Sequence, residues 1–409
     1  MIKKTKLGDI SDLSIGFVGT VTTQYEDGGI PFFRTLNIKP YKIIDTDLKR
    51  ITKEFHAKQK KSQLRTGDVA MVHTGVPGIC CVIPEEYDNS NCIDMIVIKP
   101  HKEELDSYFL EGYMNIIGYK HIEKQQVGCI QKHFNLKDAQ DLMIYLPDIM
   151  IQRKIGELNH TINKIIQIND KIIAELEAIA KTIYDYWFLQ FEFPNEDGKP
   201  YKSSGGKMVW NEELKKEIPE GWKVGNLYDI AEFINGLACQ KYRPINENRK
   251  IPVIKIKEMH EGISDNTEYV REDIPAKNIV NDGDILFSWS ATLETMIWTG
   301  GKGGLNQHIF KIIPKEYAKY YVYMQLSAYI INFVHMAEAR KTTMGHITTD
   351  HLKQSRIALP PKKITDMYDE KVQGTFNKII CNSRQDRELI LLRDFLLPLL
   401  MNGQVGFKN

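Results

Sequence analysis

The feature that most constrains this chain is an internal repeat with a period of about two hundred residues, far longer than a solenoid's. Leu7, Asp9, Ile10 and Gly16 recur 220 positions later as Leu227, Asp229, Ile230 and Gly236. Ile30-Pro31 is answered by Ile251-Pro252, and Gly67-Asp68-Val69 by Gly283-Asp284-Ile285. His133-Phe134, fourteen residues ahead of Pro147, matches His346-Ile347, fourteen ahead of Pro360. Asn163-Lys164-Ile165-Ile166 returns letter for letter as Asn377-Lys378-Ile379-Ile380. An ordered series at near-constant offset is a tandem duplication, so the fold must be one plan built twice.

Each copy opens with a globular stretch, 1–147 and 223–360. Short β-branched and aromatic runs such as Ile93–Ile98 and Ile285–Trp289 are set off there by Gly, Pro and Asn turns, with helical patches between them. Each copy then ends in a long helix, predicted over 148–190 and within 361–409. Between them, 191–222 reads as a turn-rich surface crossover, followed by a charged helix start at Trp210–Glu217 and the turn Pro219–Trp222. The fold class expected is α+β: a tandem pseudo-two-fold repeat of two mixed α/β domains, each followed by a long helix, the two helices pairing as an antiparallel coiled coil.

The first helix carries the clearest period. Ile151, Ile155, Leu158, Ile162, Ile165, Asn169, Ile172, Leu176, Ile179, Ile183 and Tyr186 alternate spacings of four and three, with Asn169 the one clearly polar member. The 36 residues from Ile151 to Tyr186 would span roughly 54 Å at 1.5 Å each. In the second helix Val372, Phe376, Ile379, Leu389, Leu392, Leu396 and Leu399 are apolar around a polar centre at Asn382, Ser383 and Asp386. Asn169 and Asn382 are therefore the expected register-setting residues. Ile166, Ile173, Tyr184, Trp187, Phe188, Ile390, Leu391 and Leu397 fall off that seam, so further partner surface is implied.

Composition excludes several classes. Lys+Arg number 54 against 53 Asp+Glu, so no whole-chain basic excess exists, and any nucleic-acid surface must come from a local concentration of charge. The six cysteines form no Cys-x-x-Cys pair, which leaves no zinc-finger spacing and points to buried free thiols. The opening residues do not read as a signal peptide, and no stretch reaches the 18–20 apolar residues of a membrane span, so a cytoplasmic protein is expected. No phosphate-cradling Gly-x-x-x-x-Gly-Lys-Ser/Thr loop, no Asn/Asp-Pro-Pro-aromatic run and no His-Glu-x-x-His occurs. The chain reads as a binder without a catalytic centre, metal or cofactor of its own.

Lys49, Arg50, Lys53, Lys58, Lys60, Lys61 and Arg65 fall within seventeen residues opposed by Glu54 alone, either a phosphate-neutralising patch or a solvated helix face. A thinner cluster in the second copy contains Lys241, Arg243, Lys255 and Lys257. Loops of small hydroxyl and amide residues suit base edges. These hold His73 and Thr74, then Gln125, Gln126 and Gln131, in copy one. In copy two they hold Ser288 and Ser290, then Arg340, Lys341, Thr342 and Thr343. Ordinary turn chemistry is the alternative for each.

Several stretches carry a resemblance. Residues 177–222 run from Glu-Ala-Ile-Ala-Lys through Tyr186-Trp187-Phe188 to Pro219-Glu220-Gly221-Trp222, and the chain ends Leu396-Leu397-Pro398-Leu399-Leu400-Met401-Asn402-Gly403. With Gly-Asp before an apolar strand and Leu305-Asn306-Gln307-His308, the chain resembles specificity subunits of type I restriction–modification systems over essentially its whole length. The resemblance implies two target-recognition domains that read a bipartite double-stranded DNA site. It also implies a coiled coil that fixes the half-site separation and docks two methyltransferase subunits, with restriction subunits completing the complex. S-adenosylmethionine, ATP and Mg would belong to those partners. Copy one has Asn91-Cys92-Ile93-Asp94 where the family pattern has Asn-Gln, so Asn306 and Gln307 are read as structural. A stand-alone DNA-modifying enzyme and a protein-binding coiled-coil scaffold are the alternative classes.

Overall fold

A computed structural model describes residues 2–120, 122, 134–245, 249–264, 266–290, 292–339 and 347–407. It divides into two units, Met1–Ile168 with Glu388–Asn409, and Asn169–Arg387.

The first unit contains strands β1 (Lys3–Lys6), β2 (Ser11–Ile15), β3 (Tyr25–Phe33), β4 (Ile38–Lys39), β5 (Lys42–Ile43) and β6 (Lys49–Ile51). There follow β7 (Gln63–Leu64), β8 (Val69–Val72), β9 (Cys80–Val82), β10 (Ser90–Cys92), β11 (Met95–Pro100) and β12 (Met143–Leu146). One sheet has the order β2-β11-β8-β9, a second β6-β3-β10-β7, and β1 pairs with β12. The β3–β10 pair is parallel. In β8 all four residues are buried: Val69 and Met71 enter one core with Phe109, Leu110, Ile155 and Leu397, while Ala70 and Val72 enter another with Phe33, Leu64 and Cys92. Burial on both faces explains why this strand reads as a continuous apolar run.

The second unit carries a hairpin of β13 (Met208–Asn211) and β14 (Lys216–Pro219), then β15 (Lys223–Gly225), β16 (Ala231–Asn235), β17 (Lys250–Ile254) and β18 (Tyr269–Arg271). It continues with β19 (Ile279–Val280), β20 (Ile285–Ser288), β21 (Glu294–Ile297), β22 (Gly303–Leu305), β23 (Ile309–Pro314) and β24 (Ile357–Leu359). Three of its sheets repeat those of the first unit strand for strand, β16-β23-β20-β21, β18-β17-β22-β19, and β15 with β24, while the β4–β5 and β13–β14 pairs are unmatched among the described residues. The parallel pair recurs as β17–β22, and a lone parallel bridge recurs as Phe17–Ile93 and Leu237–Asn306.

The repeated letters mark the places where this plan is sterically demanding. Gly67 and Gly283 have φ of 90° and 93°, a region that L side chains rarely adopt. The next residue closes the same turn in both copies: Asp68 Oδ2 accepts from Arg65 N at 2.9 Å and Asp284 Oδ2 from Asn281 N at 2.8 Å. A Cβ on Gly236 would lie 2.0 Å from the Asn306 carbonyl oxygen, and one on Gly16 2.9 Å from Cys92 Sγ.

Three helices matter below: α1 (Lys53–Lys58), α2 (Ile149–Tyr184), which runs on through a wider π-type turn over Asp185–Leu189, and α3 (Lys362–Met401). Both long helices contribute to both units. In the first unit Arg393 Nη1 donates to Asn163 Oδ1 at 2.6 Å, and Leu397 and Leu400 share a core with Ile155. In the second, Asn169 Nδ2 donates to Asp386 Oδ1 at 2.7 Å and Gln385 Oε1 at 3.2 Å, and Tyr368 Oη donates to the Ala180 carbonyl at 3.1 Å. Within each unit partner numbers fall on α3 as they rise on α2, so the pairing is antiparallel. Asn169 is buried and bonded across the pair. Asn382 is buried too, but its amide nitrogen has no hydrogen-bond partner among the described residues.

The seam differs from the predicted one at four of its eleven positions, while Leu158 and Ile183 pack on the cores as predicted. Ile155, Ile162 and Asn169 are buried and Leu176 packs on the core, as expected, but further inward residues lie four positions after Ile155, Asn169 and Leu176. Asn159, Ile173 and Ala180 face inward, whereas Ile172 is 37% and Ile179 49% exposed. Ile151 and Tyr186 are exposed as well. Asn159 belongs inside because its Nδ2 donates to Glu111 Oε2 at 3.1 Å.

The stretch 191–222 is held more firmly than a surface crossover. Phe191, Phe193 and Trp222 are buried, and Trp222 lies 5.4 Å from each of the two Phe rings. Phe191 has a φ of 63°, a backbone cost offset by burying its ring. Trp210–Glu217 is hairpin and not helix: Asn211 Oδ1 accepts from the Glu213 and Leu214 amides, and Lys215 takes a φ of 51°. Cys80, Cys81, Cys92 and Cys239 are buried, Cys381 is exposed, and Cys129 lies outside the described residues. No helix among the described residues is long and apolar enough to cross a membrane.

Candidate nucleic-acid interface

The basic stretch of the first unit runs through β6, α1, a 3-10 turn at Lys60–Ser62 and β7. Thr52 caps α1 by accepting from Phe55 N. Phe55 meets Phe17 edge-on at 5.1 Å, and the buried His56 ring lies 3.2 Å from Asn89 Oδ1 and 3.3 Å from Asn91 Nδ2. These anchors hold one face of the segment and leave Lys53, Lys58, Lys60 and Lys61 exposed. None of the four has a carboxylate within 4.0 Å among the described residues, so their charge is available to an anion. The neighbours are engaged. Lys49 and Arg34 both bind Asp47, at 2.6 and 2.8 Å, and hold its carboxyl down to about 2. Arg50 Nη1 donates to the Gly29 carbonyl at 2.9 Å, and Arg65 lies 3.5 Å from Asp88. Such exposed pairs are weak, being screened by solvent, and exchange readily for a phosphate.

The second-unit cations do not occupy equivalent places. Lys241 and Arg243 precede β17, where copy one has Thr22–Gln24, and both are exposed without a carboxylate within 4.0 Å among the described residues. Lys255 and Lys257 follow β17 and are paired with Glu268 at 2.7 Å and Glu261 at 3.7 Å. The segment between β18 and β19, which corresponds to α1, carries Glu272 and Asp273.

The predicted reading loops are only partly placed for contact. His73 and Thr74 are half-buried at the end of β8, with Thr74 Oγ1 3.4 Å from His73 Nδ1. Ser288 and Ser290 are buried, and Ser288 Oγ donates to the Ser290 carbonyl at 3.2 Å, so both are structural. Gln125, Gln126, Gln131, Arg340, Lys341, Thr342 and Thr343 lie outside the described residues. Asn306 is buried and Gln307, read with it as structural, is half-buried. Sequence reasoning passed over Val18–Gln24, whose only signal was its place directly after the repeated Gly16.

Several expected partner contacts prove to be core. Tyr184, Trp187 and Phe188 are buried with Tyr321, Tyr368, Phe191 and Trp222, and Leu397 is fully buried in the first unit. Ile173 packs on the second-unit core and Ile166 is half-buried. What α3 leaves outside is Ile390, Leu391, Leu392 and Phe395, at 37, 62, 47 and 67% exposure.

Comparison with known proteins adds a lineage. The family model described as "Type I restriction modification DNA specificity domain" matches residues 2–178 and again 219–381. The chain is 26% identical over 291 residues to the type I restriction enzyme MjaIX specificity subunit of Methanocaldococcus jannaschii, covering 66% of this chain and 62% of that one. It is 22% identical over 470 residues to the HindI specificity subunit of Haemophilus influenzae, covering 98% and 99%. A crystal structure of the type I restriction–modification S subunit from M. genitalium shares the fold, with a TM-score of 0.58, 12% identity and coverage of 98% and 96%.

Proposed function

We propose, for a chain that belongs to the type I restriction modification DNA specificity family, that it is the non-catalytic DNA-reading subunit of a type I restriction–modification enzyme. The observation that carries this reading is the strand-for-strand duplication of one domain plan with different surface side chains on each copy. Two copies of one scaffold bearing different loops suit a target made of two dissimilar half-sites. Lysines and arginines neutralise phosphates and fix the register on the duplex, while loop side chains distinguish bases. The long helices serve as spacer and as dock, with Ile390, Leu391, Leu392 and Phe395 offering apolar surface to methyltransferase subunits. Adenine methylation and DNA cleavage, with S-adenosylmethionine, ATP and Mg, belong in this reading to two methyltransferase subunits and to restriction subunits. The complex works in the cytoplasm, where its DNA is.

The spacer role is tested by removing one matched heptad from each helix, residues 170–176 and 379–385, a shortening of about 10 Å. The expected result is a methylated motif whose two half-sites are unchanged but stand roughly two to three base pairs closer. An unchanged spacer in a folded, active complex contradicts it.

A further inference from the structure

Neither sheet-end loop chosen from the sequence and described by the structure is well exposed, since Ser288 and Ser290 are buried and His73 and Thr74 half-buried. Another pair of loops is exposed in both copies. The connection from β2 to β3, residues 18–24, and that from β16 to β17, residues 238–245 within its described part, leave the fold at the same point. Each follows the parallel bridge made by Phe17 or Leu237 and the tightly packed Gly16 or Gly236. Each contains one 3-10 turn, Thr22–Gln24 or Cys239–Tyr242.

The side chains these loops present are of the kinds that distinguish base pairs. Thr20, Thr22 and Thr23 are exposed, and Gln24 Nε2 donates to Thr23 Oγ1 at 3.2 Å, so the amide keeps its oxygen free to accept. Gln240, Lys241 and Arg243 are exposed in the second copy. Each loop also holds an apolar side chain out in solvent, Val18 at 64% and Ile245 at 88% exposure. Amide, hydroxyl and cationic groups match base-edge donors and acceptors, and an exposed apolar group matches a thymine methyl.

The first loop also abuts the unpaired lysines. Thr52 N donates to the Gln24 carbonyl at 3.0 Å, and Phe17, one residue before Val18, packs on Phe55 of α1. A base-reading loop and a phosphate-binding segment are thus fastened together. In the second unit the segment corresponding to α1 carries Glu272, paired with Lys302 at 2.6 Å, and Asp273, paired with Arg271 at 2.9 Å. Lys241 and Arg243, free of carboxylates within 4.0 Å among the described residues, sit in the loop itself, and the segment's own Lys277 is exposed in the 3-10 turn that matches Lys60–Ser62.

From this juxtaposition we infer that residues 18–24 and 238–245 are the base-reading segments of the two half-sites. In the first unit Lys53, Lys58, Lys60 and Lys61 bind the flanking phosphates from a separate element, whereas in the second unit that element supplies Lys277 alone and the reading loop carries Lys241 and Arg243 itself. The inference rests on the proposed function. It predicts that specificity and salt dependence separate more fully in the first half-site than in the second.

The test uses the full chain assembled with a cognate methyltransferase, read by methylome sequencing and by binding to duplex DNA at several salt concentrations. Replacing Thr20, Thr22, Thr23 and Gln24 with Ala should relax one or more base positions of one half-site about ten-fold or more, leaving the other half-site and the salt slope unchanged. The single variants Thr20→Ala and Thr22→Ala should each relax a subset of those positions. Replacing Lys53, Lys58, Lys60 and Lys61 with Gln should keep the motif and lower the slope of log affinity against log salt by about 0.9 per lost contact. Arg243→Gln should change both. Wild-type discrimination at both half-sites in the loop variants overturns the inference, as does an altered motif in the lysine variant. A wild-type complex with no motif overturns the proposed function instead.

Discussion

The buried contact between Arg393 and Asn163 is the sharpest energetic test of how the first unit grips its two helices. The Arg393 side chain is 10% exposed, lies 4.2 Å from the Tyr41 ring centroid, and gives one guanidinium bond to Asn163 and one to Asp394 at 2.8 Å. Asp394 is half-exposed, so that bond adds little. The bond to Asn163 is charge-assisted and buried, worth about 1.5–3 kcal/mol. The contact with Tyr41 adds about 1–2 kcal/mol. Removing Arg393 also strands Asn163 Oδ1 in the interior. Arg393→Ala should therefore destabilise the unit by about 3–5 kcal/mol. Asn163→Leu should cost somewhat less, because the guanidinium keeps Asp394 and the Tyr41 ring. The double variant Arg393→Met/Asn163→Leu fills the space with apolar groups and should lose well under the sum of the singles. The assay is urea-dependent hydrogen exchange of peptides covering β8 and β11, which reports this unit without assuming one transition for the whole chain. A loss below about 1 kcal/mol for Arg393→Ala, or additive losses in the double variant, would refute the reasoning.

Three other outcomes follow from the geometry. Glu111 is fully buried, and burial raises its carboxyl to about 7 against the bonds from Val82 N and Asn159. Between the ordinary value near 4.3 and 7 the folded chain holds a proton the unfolded chain has released, so stability should fall by up to about 4 kcal/mol as pH rises through that window. Glu111→Gln should flatten that slope in urea midpoints taken at pH 5 and 8, and a retained slope assigns it elsewhere. Gly236→Ala should destabilise far more than Gly16→Ala, since the new methyl meets a backbone carbonyl at 2.0 Å in one and a thiol at 2.9 Å in the other; equal losses in urea titrations contradict this. Leu391→Asp with Phe395→Asp should leave stability within about 1 kcal/mol but reduce co-purification of methyltransferase, and wild-type yield of complex removes the docking role from this face.

The duplication was legible because the residues it preserves are those whose replacement the fold forbids. Gly67 and Gly283 need positive φ, Gly16 and Gly236 have a neighbouring segment at their Cα, and Asp68 and Asp284 close one turn. The helix seam was partly legible. Hydrophobicity favoured Ile172 and Ile179, which are exposed, whereas Asn159 and Ala180 take inner places, because Glu111 offers the asparagine a buried acceptor and Tyr368 bonds the Ala180 carbonyl. Tyr184, Trp187 and Phe188 read as partner surface because a two-helix pattern contains nothing else to cover them. The cover is Phe191 and Trp222, from a stretch whose Gly, Pro and Ser content marked it as surface. In the basic stretch the sequence supplied the cations, and only the structure separates the lysines left free from those bound to Asp47, Glu268 and Glu261. The loop at 18–24 was illegible for the opposite reason: threonines beside glycine read as ordinary turn chemistry, and what sets the loop apart is its place against α1.

The central claim is that each copy of the domain reads its own half of one target. The measurement that tests it most directly is methylome sequencing of cells expressing this chain with a cognate methyltransferase, before and after residues 223–360 are replaced by the corresponding domain of a relative. The account predicts one bipartite motif bearing methylated adenine, of which one half-site changes on replacement and the other remains. No motif despite a stable complex, or a motif changed in both halves, would contradict it.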